Sequence, residues 1–214
     1  MNVIYCQRKR WVSLFHLITD INKIKYTNIN NFYNSRNKVL NSPKRQKFCA
    51  ALISNFNSTD GFRLKFIKEL EKYKKIDFGG KIYNNIGRSL ENKIQYLSQY
   101  KFSIAMENSE GDGYISEKIV DSFLSGTIPI YYGDYMVDEY INPKTYILIK
   151  GEKDLHKKIE YIKKIDNNDE IYKYILKEKV LLDNNIVIDT EKELTEFLCH
   201  IFEQEKSKAY RKLF

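Results

Sequence analysis

An α/β fold built on a mostly parallel sheet is what this sequence predicts, and three observations predict it. Short apolar runs ending in turn residues recur between Lys47 and Lys150, and segments with apolar residues at helical spacing stand between most of them. The third is the balance of 43% hydrophobic and 30% charged residues over 214, enough for one sizeable core and unlike a disordered chain. The predicted order is β-α-β-α-β-α-β-β-α-α-α.

Residues 1 to 46 lack sustained periodicity, and "NKIKYTNINNFYNSRNK" reads as an irregular or partly helical lead-in. "KFCAALISN" is a buried strand closed by turn residues, and "STDGFRLKFIKELEKYKK" a helix with Phe62, Phe66 and Leu70 on one face. "IDFGGKIYNNIG" gives a short strand and a Gly/Asn loop, followed by a helix from Ser89 to Ser98 that buries Leu90, Ile94 and Leu97. "KFSIAM" is the next strand. The loop "ENSEGDGY" leads from it into the helix "ISEKIVDSFLSG", striped by Ile115, Ile119 and Phe123 and stopped at Gly126. "TIPIYYGD" is a strand whose Pro129 cannot donate to a ladder and so requires an edge position or a bulge. "KTYILIK" is a further strand after Asn142-Pro143. "EKDLHKKIEYIKKI" and "TEKELTEFLCHIFEQE" are helices, the second opening on a capping box, Thr190 to Glu193, and turning Leu194, Phe197, Leu198 and Ile201 inward. The expected organisation is a lead-in over 1–43, a Rossmann-like domain over 44–150 and C-terminal helices over 151–214.

The formal net charge of +8 and the pI of about 9.1 favour an anionic partner: a phosphorylated small molecule, an acidic membrane surface or nucleic acid. An AT-rich genome also raises Lys, Asn, Ile and Tyr, so charge alone does not choose. No nucleic-acid recognition motif is found, and nucleic acid is not expected as a partner. No apolar run approaches the roughly 18 to 20 residues that cross a bilayer, and the start lacks a signal-peptide pattern. A cytoplasmic location is expected, with peripheral membrane contact left open. Cys6, Cys49 and Cys199 lack metal-ligand spacing and read as reduced thiols.

In an open parallel sheet the ligand crevice lies outside the carboxyl ends of the strands. The residues there are Ser54, Asn55 and Arg63 after the first strand; Gly79, Gly80, Asn84 and Asn85 after the second; Glu107, Asn108, Gly111, Gly113, Tyr114, Glu117 and Lys118 after the third; and Tyr131, Tyr132 and Gly133 after the fourth. A helix beginning near Ile115 points free N–H groups and its positive dipole end into that crevice, which suits a phosphate. Arg63 and Lys118 add full positive charges. No Asp-x-Asp occurs in the chain, so protein cations in place of a metal are the inference, and no metal or other cofactor is expected. Glu117 would accept from sugar or ribose hydroxyls. Each piece also has a plain reading: the glycines as turn formers, Glu117 and Lys118 as solvated helix charges, Tyr131 and Tyr132 as strand packing, the lysines of 153–164 as the wet face of a helix, and His16, His156 and His200 as core or surface residues.

The order of residues says more than the pieces. "YKFSIAMENSEGDGYISEKIVDSFLSGTIPIYYGD", residues 100 to 134, resembles the donor-binding signature of the α-1,3-fucosyltransferases, glycosyltransferase family 10: Tyr-Lys-Phe, Glu-Asn-Ser, Tyr-x-x-Glu-Lys, then Pro-x-x-Tyr-Gly. The likeness covers roughly residues 44 to 165. It implies the C-terminal half of a GT-B fold and a metal-independent, inverting transfer of L-fucose from GDP-fucose to a saccharide acceptor. Carried across, Arg63 corresponds to an arginine on the donor phosphates, Lys118 to a lysine beside the pyrophosphate, and Glu117 to a glutamate at the donor sugar or ribose. Asn108 and Tyr114 correspond to the remaining donor-site residues. The sequence departs from the family upstream. Only about 43 residues precede the match where family members carry an acceptor domain with the general base, and residues 1–43 contain no glutamate. The general base is therefore unassigned. A split donor-binding module, inactive without a separate acceptor-domain chain, stands as the alternative to a complete enzyme.

Overall fold

The computed structural model describes residues 30–41, 47–53, 61–81, 83–108 and 115–182, with 195–196, 199–200 and 203. The chain divides into two compact units, Met1–Leu182 and Asp183–Phe214. In the second, the described residues are helical. The capping box at Thr190 and the inward stripe from Leu194 lie outside the described residues, as do Cys6, His16, Ser54 and Asn55.

The first unit holds a five-stranded, wholly parallel sheet in the order β2-β1-β3-β4-β5. The strands are β1 (Lys47–Ala51), β2 (Ile76–Phe78), β3 (Tyr100–Met106), β4 (Ile128–Tyr132) and β5 (Ile147–Leu148). The helices are α1 (Asn30–Leu40), α2 (Gly61–Glu71), α3 (Lys93–Leu97), α4 (Glu117–Leu124), α5 (Leu155–Asp166) and α6 (Asp169–Lys177). Parallel strands are joined by helical crossovers and are covered on both faces, which is why the runs read from the sequence are apolar nearly throughout. One face gathers Phe102, Met106, Ile128, Ile130 and Ile147 from the strands with Phe66 and Leu70 of α2, Ile159 and Ile162 of α5 and Ile175 of α6. Ala50 and Tyr100 face the other side, against Tyr96 and Leu97 of α3.

The expected α/β class holds, with local differences that have physical causes. The helix predicted from Ser89 runs only over Lys93–Leu97, because Asn92 caps it: the Asn92 Oδ1 accepts from the Gln95 amide at 3.0 Å. The strand predicted over "KTYILIK" shrinks to Ile147–Leu148. Asn142-Pro143 starts a 3-10 turn, and Thr145 donates to the Asn142 carbonyl from both its amide (2.9 Å) and its hydroxyl (2.7 Å), which takes the first residues out of the sheet. β4 is interior rather than an edge strand, but β5 pairs with it only at Ile130 and Tyr131, so at Pro129 there is no outer strand to bond. Gly126 ends α4 with φ of 71°, as its position predicted. Below it, Thr127 and Ser125 donate to the Ser122 carbonyl at 2.9 and 2.8 Å, and the Thr127 hydroxyl shares a 2.6 Å bond with Ser103 of β3. These buried hydroxyls fix the far end of α4 to β3.

Part of the lead-in is structured with the unit. From α1, Arg36 reaches into the interior, only 2% exposed. Its guanidinium donates to the carbonyls of Ile175 (3.2 Å), Glu178 (3.2 Å) and Thr145 (3.0 Å) and lies over the Phe123 ring of α4. Two of those carbonyls belong to the C-terminal turn of α6, where a cation is favoured by the helix dipole. Among the described residues, no helix is long and apolar enough to cross a membrane.

Candidate functional site

Strand order locates the crevice. The connection from β1 runs outward to β2 and that from β3 runs to β4 on the opposite side, so the crossovers diverge between the exits of β1 and β3. The residues immediately beyond those exits form the candidate site.

From the β1 side comes Arg63, in the first turn of α2 and only 3% exposed. Its Nη1 donates at 2.7 Å to the Asn108 Oδ1, just past β3. Residues 45 positions apart in sequence are thus joined across the switch point. Asn108 is a neutral acceptor, so it orients the guanidinium without adding a counter-charge.

The second cluster lies at the start of α4. Ser116 is the N-cap, and Glu117 and Lys118 follow as the first helical residues. Glu107, 1% exposed, reaches up to this turn from the end of β3. Its Oε1 accepts from the Ser116 amide at 2.7 Å; its Oε2 accepts from the Ser116 hydroxyl at 2.6 Å and from the Lys118 ammonium at 2.8 Å. The same ammonium donates to Ser116 Oγ at 3.1 Å. Lys118 therefore folds back over its own N-cap, and 20% of its side chain remains exposed. The expected open helix end is open in part: the Ser116 N–H is already taken by Glu107, and the Lys118 N–H by the Ser116 hydroxyl at 3.4 Å. Glu117, half-buried, makes no side-chain hydrogen bond or ion pair among the described residues.

Glycines allow the elements to approach this closely. A Cβ on Gly133, at the β4 exit, would meet Tyr131 Oη at 2.5 Å and Glu107 Cγ at 2.7 Å. One on Gly80 would strike the Ile53 carbonyl oxygen at 2.0 Å, so the exits of β1 and β2 touch through backbone.

The sequence-selected residues thus separate. Arg63 and Asn108 form one bonded pair; Lys118 and Glu117 stand at the helix start; Tyr114, Gly111 and Gly113 lie outside the described residues. Asn84 and Asn85, also expected at the crevice, are spent on the loop itself. Asn85 pairs with the Phe78 amide (2.8 Å) and Ile76 carbonyl (2.9 Å) as a strand edge would, and Asn84 accepts from the amides of Ile86 and Gly87. Tyr131 is buried in the strand packing and Tyr132 packs against Phe62 with ring centroids 4.9 Å apart and the rings tilted by 47°. His156 and His200 are exposed. Glu107 was one strand-end residue among many in the sequence; its signal is an acidic residue directly continuing a buried strand, nine positions before a Ser-Glu-Lys helix start.

The family model described as "Glycosyltransferase family 10 (fucosyltransferase) C-term" matches residues 42–213. Over 139 residues the chain is 35% identical to the alpha-(1,3)-fucosyltransferase FucT of Helicobacter pylori, covering 65% of this chain and 29% of that protein. It is 28% identical over 136 residues to human 4-galactosyl-N-acetylglucosaminide 3-alpha-L-fucosyltransferase 9, covering 63% of this chain and 37% of the relative. A crystal structure of an alpha1,3-fucosyltransferase with GDP-fucose superposes with a TM-score of 0.69 at 28% identity, over 89% of this chain and 56% of that one. One with GDP gives 0.70 at 30% identity, over 84% and 55%. The chain thus spans about a third of these curated relatives and about half of the solved chains.

Proposed function

The chain belongs to glycosyltransferase family 10, and on that premise we propose that its crevice binds GDP-fucose and serves the transfer of L-fucose to a saccharide acceptor. The observation that carries this reading is that Lys118, at the start of α4, and Arg63, at the start of α2, are bonded to Glu107 and Asn108, consecutive residues just past the end of β3. Two fixed cations and a helix N-terminus match a diphosphate, and they supply the neutralisation for which other enzymes hold a metal. Glu117 is our assignment for the donor sugar or ribose, as a carboxylate without another partner among the described residues. Asn108 and Tyr114 complete the donor contacts.

The reaction would be a single inverting displacement. The acceptor oxygen forms a bond to the fucose anomeric carbon as the bond to GDP breaks, and Arg63, Lys118 and the helix end stabilise the charge that grows on the departing diphosphate. The acceptor proton passes to a base outside the residues assigned here.

A second reading is a donor-binding module that turns over only with an acceptor-binding chain. Calorimetry with GDP-fucose in the presence of EDTA tests the shared part. Saturable binding is expected; no binding, or binding only with Mg²⁺, overturns the donor-site assignment. Release of GDP on adding an N-acetyllactosamine acceptor then marks the complete enzyme, and binding without release marks the module.

A further inference from the structure

We infer that Glu107 is the positioning residue of this site: a buried carboxylate that holds the Lys118 ammonium at the helix N-terminus, where the diphosphate would lie. The inference rests on the reading of the crevice as a nucleotide-diphosphate site. The N-terminal end of a helix carries roughly half a positive charge, so a lysine ammonium placed there is repelled. Lys118 is the second residue of α4, and its side chain nonetheless turns back to the cap instead of out to solvent. Glu107 lies beneath it, 1% exposed, and accepts the ammonium at 2.8 Å.

The same carboxylate accepts the Ser116 amide and hydroxyl, so one group fixes the cap, the cap's hydroxyl and the lysine together. Its own position is fixed from two sides. The Glu107 amide donates to the Tyr132 carbonyl at 2.8 Å, continuing the β3–β4 ladder by one residue, and Gly133 leaves room for its Cγ. Glu107 has both carboxylate oxygens engaged in this way, Oε1 by the Ser116 amide and Oε2 by the Ser116 hydroxyl and the Lys118 ammonium. Its role is to let two like charges, the helix end and the ammonium, share a place neither would hold alone.

This yields an expectation opposite to simple charge counting. Removing a negative charge beside an anion site ordinarily strengthens anion binding. Here Glu107→Gln should weaken GDP binding, by about tenfold or more, because the Gln amide nitrogen must meet either the ammonium or the Ser116 N–H donor to donor, and the negative charge that holds Lys118 against the helix end is lost. The experiment is a double-mutant cycle on the full chain, with GDP affinity read by calorimetry for wild type, Glu107→Gln, Lys118→Ala and the pair, and folding checked by thermal unfolding.

The expected result is a loss in each single variant and no further loss in the double, since Glu107 acts through Lys118. Glu107→Asp, which keeps the charge but withdraws it, should recover part of the loss and serves in the cycle should Glu107→Gln not fold. Unchanged or tighter GDP binding in Glu107→Gln beside a weakened Lys118→Ala overturns this inference alone. A loss that persists undiminished in the Lys118→Ala background also overturns it. Absence of GDP binding by wild type, or an unaffected Lys118→Ala, removes the donor-site reading and this inference with it.

Discussion

Gly133 and Glu107 touch so closely that no side chain fits between them: a Cβ on Gly133 would stand 2.7 Å from the Glu107 Cγ and 2.5 Å from the Tyr131 hydroxyl. Gly133→Ala should therefore cost about 1–3 kcal/mol of stability through overpacking. It should also weaken GDP binding by displacing Glu107 from under Lys118. Urea unfolding and GDP calorimetry on the same protein check both, and a variant with wild-type stability would show that the neighbours yield without cost.

Asn108 orients Arg63 without cancelling its charge, which makes the isosteric change Asn108→Asp informative. The new carboxylate would bind the guanidinium more strongly and set a negative charge at the crevice, so GDP affinity should fall by about tenfold. Lys118→Ala should fall as far, while Lys157→Ala, on the exposed face of α5, should leave affinity as it is. Equal losses for Lys118 and Lys157 in calorimetry would point to diffuse attraction by a basic surface.

At the opposite end of the sheet, Asp166 is buried and accepts from Lys74, from Tyr73 at 2.9 Å and from Lys101 at 3.0 Å. Burial by itself pushes its carboxyl upward, but the hydrogen bonds from Lys74, Lys101 and Tyr73 outweigh it and hold the group below the ordinary 3.8. A carboxyl lowered by folding stabilises the native state fully above its unfolded value and loses that contribution as pH falls through the folded one. Stability should thus decline below about pH 4 in the wild type, and the part due to this group should vanish in Asp166→Asn. Urea midpoints between pH 2 and pH 6 measure it; parallel curves for the two proteins would refute the assignment. At neutral pH Asp166→Asn should already cost about 3 kcal/mol, because Lys101 is left buried without its counter-charge.

Arg36 remains a cation at neutral pH although burial lowers its value to about 10. Arg36→Met keeps the bulk but strips three carbonyls of their donor, and a loss of about 2–4 kcal/mol is expected. Arg36→Lys should recover only part of it, since one ammonium cannot reach all three. Thermal unfolding decides, at about 2–4 °C per kcal/mol for a protein of this size; a shift of a degree or less would mean that α1 is bound by other contacts.

The strands were legible because parallel pairing buries both faces, and apolar runs such as "KFSIAM" follow from that directly. Gly126 was legible because the left-handed φ it adopts favours glycine. The pairing of Arg63 with Asn108 was legible only as a consequence of strand order, which no local pattern reports. The start of α6 carries a readable cap, with the amides of Glu170 and Ile171 each donating to Asn168 Oδ1 at 3.0 Å, but the preceding Asp-Asn-Asn turn masks it. Arg36 gave no signal: it is one arginine in a polar run, and its partners lie more than a hundred positions later. Glu107 was obscured by Glu117, which adjoins Lys118 in sequence, whereas the distant carboxylate is the one brought beneath the ammonium.

β3 is tied down at both ends by buried charges of opposite sign. Lys101, near its entry, meets Asp166, and Glu107, just past its exit, meets Lys118. The two are six residues apart, about 20 Å along a strand. Sliding β3 by even one position against its neighbours would break both ties at once, so the central strand has a single register enforced by charge as well as by the apolar pattern. Its amides, in the middle of the sheet and locked at either end, are accordingly the ones expected to exchange with solvent only when the whole unit unfolds. The strand that carries Asn108 and Glu107 to the crevice would then be the slowest clock in the molecule.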